Sequence, residues 1–256
     1  MKWGCAMLAA ALVGCADRAP EPGSSAGKKE ANAPSAVAPL PAREAGSKTR
    51  SFAEFRPSQH GFAFTNDFKG DALGGMGASL GMPSRFGLCG GMSFAAADYY
   101  LAAKAVPPDT RPPVQGTSLY NYIYARQAAS NGFLGSMGIK FVEWMQLPDD
   151  EVRRRTADEL PAIAAALERG EPVVIGEVLQ SAGGGKAWEN HQVLGFAVSR
   201  ADGETRISIY DPNFPRRDDV AILVKADGSV WRVGGGRKDR DMRGIFRMAY
   251  ERAEPK

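Results

Sequence analysis

Three stretches in the first two thirds of the chain have the composition or the apolar spacing of helices. Ser93–Ala105 is rich in Ala, Tyr and Leu and has to end before Pro107-Pro108, because a residue preceding proline disfavours the helical conformation. Ser118–Asn131 follows, with apolar side chains three and four positions apart. Thr156–Arg169 has the same spacing and ends at Gly170, a residue typical of helix C-termini. The pattern therefore predicts three helices.

The pattern changes to that of strands after Gly170. The predicted strands and hairpins are Pro172–Leu179, His191–Ser199, Thr205–Tyr210, the hairpin Ala221–Val233 and Gly244–Tyr250. Asp202-Gly203 separates the second and third strands, and Asp-Gly is a strong signal for a two-residue hairpin turn. Helices followed by strands predict an α+β fold in which the helices pack on a mainly antiparallel sheet.

The N-terminus has the pattern of an export signal. Lys2 precedes an apolar run from Trp3 to Val13, which is too short to span a bilayer, and Leu12-Val13-Gly14-Cys15 resembles the lipobox of bacterial lipoproteins. The resemblance implies a signal peptide over residues 1–14, cleavage before Cys15 and a lipid anchor on the Cys15 thiol. An ordinary secretory signal, with Cys15 incidental, is the alternative.

A polar linker is predicted between the anchor and the folded domain. Residues 15–50 contain mostly Pro, Ala, Ser, Gly, Glu and Lys, and such a segment buries too little apolar surface to fold. Residues 51–256 then form one domain of ordinary size. The net charge of +3 is mild, and no stripe of basic residues alternates with aromatic ones, so we expect no nucleic acid partner.

The cysteines and histidines limit the chemistry of the domain. Of the three cysteines, Cys5 and Cys15 belong to the export signal, which leaves Cys89 without a disulfide partner. The two histidines, His60 and His191, lie far apart in the chain, and no CxxC motif is present, so we expect neither a metal site nor a cofactor.

Cys89 is the strongest candidate for a catalytic group. It stands directly before the first predicted helix, where free backbone N–H groups and the helix dipole favour a thiolate over a thiol. Free cysteines are also common as small buried residues, which is the alternative. Three glycines around the cysteine, Gly87, Gly90 and Gly91, favour the catalytic interpretation, because a core residue does not need them.

The predicted hairpin brings an imidazole and a carboxylate to one edge of the sheet. With Asp202-Gly203 as the turn, we expect His191 opposite residue 214 and Asp211 opposite residue 194. An acidic or amide side chain beside a histidine fixes the tautomer of the ring and stabilises the imidazolium. Asp211 is the first candidate for that orienting group, although an Asp before Pro212 is also a common turn residue. Asn213 takes the role if the register of the hairpin is shifted by two residues.

These residues resemble those of the papain-like cysteine peptidases, in particular the branch that processes bacteriocin leader peptides. The matching segments are Leu88–Gly91, Leu167–Val174, His191–Phe196 and Ile209–Asn213. The resemblance implies a papain-like fold in which the helix that carries the cysteine packs with the other helices on the sheet. It also implies Cys89 as the nucleophile, His191 as general base and acid, and Asp211 as the orienting group.

The chain departs from the family pattern on both sides of the cysteine. Papain-like enzymes usually have a glutamine about six residues before the cysteine to complete the oxyanion hole, and Pro83 stands there. The large residue that commonly follows the cysteine is replaced by Gly90-Gly91. Asn66 is the candidate for the missing oxyanion donor, and Ser84 is a second.

The resemblance implies a thiol hydrolase that cleaves amide bonds in a peptide, a protein or a cell-wall peptide. With the lipid anchor, the expected location is the cell envelope, at the outer membrane or the periplasmic face if the host is Gram-negative. An acyl transferase with the same thioester chemistry is one alternative. A catalytically inactive papain-like module that binds a partner is the other.

Overall fold

The computed structural model describes residues 51–71, 84–132, 135–184 and 189–255. The predicted signal peptide, the lipidation site Cys15 and the predicted linker lie outside these ranges. Ahead of the main helices the structure has a 3-10 turn, Phe52–Glu54, and a short helix, α1. The helices are α1 (Pro57–His60), α2 (Cys89–Leu101), α3 (Ser118–Ser130), α4 (Ser136–Gln146) and α5 (Asp149–Glu168).

The strands form one small sheet and one large one. Strands β1 (Phe68–Lys69) and β2 (Arg85–Phe86) pair with each other just before α2. The large sheet has seven strands in the order β8-β7-β6-β5-β4-β3-β9, and every neighbouring pair is antiparallel. Its strands are β3 (Val173–Val178), β4 (His191–Ala201), β5 (Glu204–Tyr210), β6 (Ala221–Lys225), β7 (Val230–Val233), β8 (Arg240–Met242) and β9 (Gly244–Arg247).

Apolar clusters cover both faces of the large sheet. Val174 and Leu194 belong to the cluster that also contains the buried face of α2, whereas their neighbours Ile175 and Val193 belong to a second cluster with Ile163 of α5. Successive residues of a strand point to opposite faces, so this alternation is the expected one for a sheet buried on both sides. The sheet is therefore held between helices, with α2 against β4 on one face and α5 on the other.

The α+β class predicted from the sequence is confirmed, and the three predicted helices are present with shifted ends. Helix α2 begins at Cys89 itself and ends at Leu101, four residues before the predicted end. Helix α5 begins at Asp149, seven residues before the predicted start at Thr156. Acidic side chains in its first turn, at Asp149, Asp150 and Glu151, favour that earlier start because they lie at the positive end of the helix dipole.

The predicted hairpin is present, with one correction to its register. Asp202 and Gly203 have φ angles of 53° and 76° and form the turn, as Asp-Gly predicts. The pairing follows the predicted register from the turn to Ala197↔Ser208, but the next pair is Gly195↔Ile209. A β-bulge at Phe196 therefore moves the far end by one residue, and the predicted pairing of Asp211 with residue 194 is wrong, since Leu194 pairs with Tyr210. None of the helices in the described ranges has the length and apolar character needed to cross a membrane.

Candidate active site

His191 and Asp211 lie side by side at the end of the β4–β5 hairpin. His191 is the first residue of β4, and Asp211 directly follows β5. The Nε2 atom of His191 is 2.7 Å from Oδ1 of Asp211, and the two side chains are almost completely buried, at 7% and 0% exposed. The hairpin turn sets this pairing, because it brings the start of one strand to the end of the next.

Cys89 lies on the other side of the imidazole. It is the first residue of α2 and is half-buried, with its side chain hydrogen-bonded to the His191 ring. Because Asp211 occupies Nε2, the ring nitrogen left for the thiol is Nδ1. Sulfur, imidazole and carboxylate thus follow one another in a line.

The charges around His191 stabilise the imidazolium form of its ring. Burial alone lowers the pKa of His191, but the Asp211 carboxylate, the Cys89 sulfur and the hydrogen bonds to both raise this pKa well above its ordinary value. Burial raises the pKa of Asp211, but the charges of His191 and Arg232 and the hydrogen bonds from His191 and the Asn213 N–H outweigh burial and hold it below its ordinary value. The favoured state of the pair is therefore imidazolium with carboxylate.

The Asp211 carboxylate is held from three directions. Oδ1 faces the imidazole and accepts a hydrogen bond of 2.8 Å from the backbone N–H of Asn213. Oδ2 accepts a hydrogen bond of 2.9 Å from the Arg232 guanidinium. With these contacts both oxygens have fixed positions, which is what an orienting group requires.

Asn213, the alternative orienting residue, also reaches the imidazole. Its Nδ2 atom is 3.2 Å from Nε2 of His191, farther than the Asp211 oxygen. Its Oδ1 is 3.4 Å from Nδ2 of Asn66. The structure therefore brings both candidates to the ring, with the charged one closer.

Asn66 lies at the start of α2, beside the cysteine. Its Oδ1 accepts a hydrogen bond of 2.6 Å from the backbone N–H of Leu88, and its backbone N–H donates to the carbonyl of Pro212. A Cβ built on Gly87 would lie only 2.6 Å from the Asn66 Nδ2, so the amide nitrogen sits against the backbone just ahead of Cys89. Ser84, the second oxyanion candidate, is exposed ahead of β2.

Some backbone N–H groups at the start of α2 donate to side chains, and others do not. Asn66 takes the N–H of Leu88, and Oε1 of Gln127 takes the N–H of Gly91 at 2.9 Å. Within the described ranges no protein group accepts the N–H of Cys89. The Cys89 N–H is thus open to an acceptor beside the sulfur.

Gly90 and Gly91 let α2 approach its neighbours closely. A Cβ on Gly91 would collide with the backbone carbonyl of Ile123 in α3, and a Cβ on Gly90 would collide with the side chains of Gln192 and Ser130. Both glycines therefore have a packing role: they allow the N-terminal end of α2, which carries Cys89, to lie between α3 and β4.

Two further charged residues lie beside the site and were not predicted. Glu177 of β3 pairs directly with His191 of β4, and Arg232 of β7 contacts Asp211. Glu177 is the one acid in the apolar strand Val173–Val178, and an acid in a buried strand is an unusual feature that the sequence offered as a signal. His60, the other histidine, packs against the rings of Phe55 and Tyr100 instead.

The described residues contain no group of three His, Cys, Asp or Glu side chains arranged to hold a metal ion. Neither the models of protein families, nor the curated proteins, nor the solved structures contain a significant match to this chain. Functional conclusions therefore rest on the geometry of Cys89, His191 and Asp211.

Proposed function

We propose that the protein is a papain-like thiol hydrolase that cleaves amide bonds with Cys89, His191 and Asp211. The observation that carries the proposal is the position of the His191 ring, which has the Cys89 sulfur on one side and the Asp211 carboxylate 2.7 Å away on the other. Nucleophile, base and orienting group in contact, on a helix start and a strand start, are the arrangement that thiol catalysis needs.

In the first half-reaction the Cys89 sulfur attacks the carbonyl carbon of the scissile amide. The C–N bond breaks after the imidazolium of His191 gives its proton to the leaving amine, and a thioester to Cys89 remains. Asp211 keeps the ring oriented throughout, because its Oδ1 holds the Nε2 hydrogen.

In the second half-reaction the neutral imidazole of His191 takes a proton from water. The hydroxide attacks the thioester carbon, the C–S bond breaks, and the carboxylic acid leaves. The Cys89 thiolate and the His191 imidazolium are thereby regenerated.

The open N–H of Cys89 supplies one hydrogen bond to the oxyanion that forms in each half-reaction. Asn66 supplies the second from Nδ2, since its Oδ1 is already engaged by the Leu88 N–H at 2.6 Å and fixes the amide plane. Asn66 thus fills the place of the glutamine that papain-like enzymes usually carry.

The substrate class in this proposal is a peptide, a protein or a cell-wall peptide at the cell envelope. The location follows from the lipobox-like sequence and the proposed lipid on Cys15. Labelled palmitate should enter the wild-type protein and not Cys15→Ser, and the wild-type protein should sediment with membranes. Equal labelling of both proteins contradicts the anchor and leaves the catalytic proposal standing.

The catalytic proposal is tested with a library of fluorogenic peptide amides and with purified cell-wall peptides. The wild-type domain should release product, while Cys89→Ala and His191→Ala should not. A thiol that is inert in the folded wild-type domain contradicts the proposal and favours a module that only binds a partner.

A further inference from the structure

Glu177 is a fully buried acid without a hydrogen bond of its own. Its side chain is 0% exposed, and neither carboxylate oxygen has a hydrogen-bond partner. Two cations face it: His191, its partner on the neighbouring strand, and Arg232, whose Nη1 atom is 3.6 Å from the Glu177 Oε2. An acid in such a place costs stability unless a neighbouring charge compensates for the lost hydration.

The Arg232 guanidinium lies between the two buried carboxylates. Its Nη1 atom donates to Oδ2 of Asp211 at 2.9 Å and also faces Glu177, and its side chain is only 11% exposed. Its guanidinium carbon lies 4.9 Å from the centre of the Phe214 ring, within the range of a cation–π contact. Three contacts, two from the turn after β5 and one from β3, therefore fix this guanidinium.

We propose that Arg232, held between Glu177 and the ring of Phe214, is a positioning residue that fixes the Asp211 carboxylate and, through it, the His191 imidazole. The inference rests on the proposed function and adds to the site a residue that contacts the Asp211 carboxylate. Arg232 acts on the oxygen of Asp211 that does not face His191.

The charged groups around Asp211 come from five elements. Cys89 belongs to α2, Glu177 to β3, His191 to β4, Arg232 to β7 and Arg240 to β8, and each interacts with at least one other member of the group. Burial raises the pKa of Glu177 above its ordinary value, while the charges of His191, Arg232 and Arg240 act in the opposite direction.

The loss of Arg232 has two opposing effects on His191. Removal of a nearby positive charge by itself favours the imidazolium, whereas release of the Asp211 carboxylate takes away the anion that stabilises it. The positioning role predicts that the second effect is larger, because the Asp211 oxygen is in direct contact with the ring.

The test is the pH profile of Cys89 alkylation by iodoacetamide in purified wild-type protein, Arg232→Met and Arg232→Lys. Arg232→Met removes the charge and keeps an unbranched side chain, so the rise of the alkylation rate with pH should move to higher pH and the rate at pH 6 should fall about tenfold. Arg232→Lys keeps the charge but lacks the forked guanidinium, and its profile should lie between the other two. Arg200→Met, which removes an exposed arginine from β4 of the same sheet, is the matched control and should leave the profile unchanged.

The positioning role is overturned if the alkylation rate of Arg232→Met rises at the same pH as that of the wild type, or at a lower pH. If Arg232→Met does not fold, Arg232→Met with Glu177→Gln removes both members of the buried pair, and its profile should show the same shift relative to Glu177→Gln alone. A wild-type protein without fast alkylation at low pH contradicts the proposed function itself, whereas a fast wild type with an unshifted Arg232→Met contradicts only this inference.

Discussion

The imidazole of His191 and the carboxylate of Asp211 meet at 2.7 Å in a place from which solvent is excluded. Their attraction is strong there because little water screens it. The position of the pair at the end of a tight hairpin makes the contact a property of the fold, since the turn at Asp202-Gly203 aligns the strands that carry both residues.

The titration of His191 is the first prediction. Its pKa lies well above the ordinary value, so the imidazolium should persist through neutral pH, and the ring should lose its proton only at distinctly higher pH. The chain has two histidines, so labelled imidazoles give two NMR signals that can be followed with pH. Asp211→Asn and Cys89→Ala should each lower the pKa of His191, the former more, because the Asp211 charge is the largest of the effects that raise it. A His191 signal that titrates as in a model peptide in the wild type contradicts the charge network, and the His60 signal is the internal control.

The relative importance of Asp211 and Asn213 is the second prediction. Asp211→Ala should reduce the rate of Cys89 alkylation at pH 6 clearly, because the carboxylate is both closer to Nε2 and charged. Asn213→Ala should have a smaller effect, since its amide is neutral and 3.2 Å away and the backbone N–H to Asp211 remains. The reverse order would assign the orienting role to Asn213.

The oxyanion role of Asn66 is the third prediction. Asn66→Asp keeps an oxygen for the Leu88 N–H and removes the amide hydrogens, so the helix start is preserved and the second donor is lost. We expect the turnover rate on a peptide amide to fall by about 10²-fold to 10³-fold. Alkylation by iodoacetamide forms no oxyanion, so its rate should change far less. Equal losses in both reactions would point to a general disturbance of the site.

The close packing of α2 against α3 is the fourth prediction. In Gly91→Ala the new methyl group would collide with the backbone at Ile123 and Gln127, which cannot rotate away as a side chain can. The free energy of unfolding should fall by about 1–3 kcal/mol in a urea titration. Gly183→Ala is the matched control, because no atom lies within 4 Å of its new methyl group, and the change should stay within about 0.5 kcal/mol.

Local signals were sufficient to predict the main catalytic candidates. Cys89 was placed by the helix that follows it, and the pairing of His191 with Asp211 by a turn of two residues between them. Each of these relationships depends on residues near in sequence, where propensity and turn chemistry act directly.

The features of the fold and the site that were not predicted depend on contacts between distant parts of the chain. The bulge at Phe196 shifts the register by one residue and has no signature in the pattern of apolar residues. Helix α4, Ser136–Gln146, was not predicted, although its buried residues Phe141, Trp144 and Met145 lie at helical spacing, and Phe141 and Trp144 pack on Phe246. Arg232 reaches Asp211 across the sheet, 21 positions away in sequence.

The most direct test of the proposed thiol hydrolase activity is the rate at which Cys89 reacts with iodoacetamide between pH 5 and 9. The wild-type domain should react at pH 6 much faster than glutathione, because the imidazolium of His191 stabilises the thiolate there, and His191→Ala should lose most of this reactivity. The start of a helix supplies only about 0.3–1 kcal/mol to an anion, so it should not maintain the rate alone. A Cys89 that reacts no faster than glutathione over the whole range, or whose rate is indifferent to the loss of His191, contradicts the account.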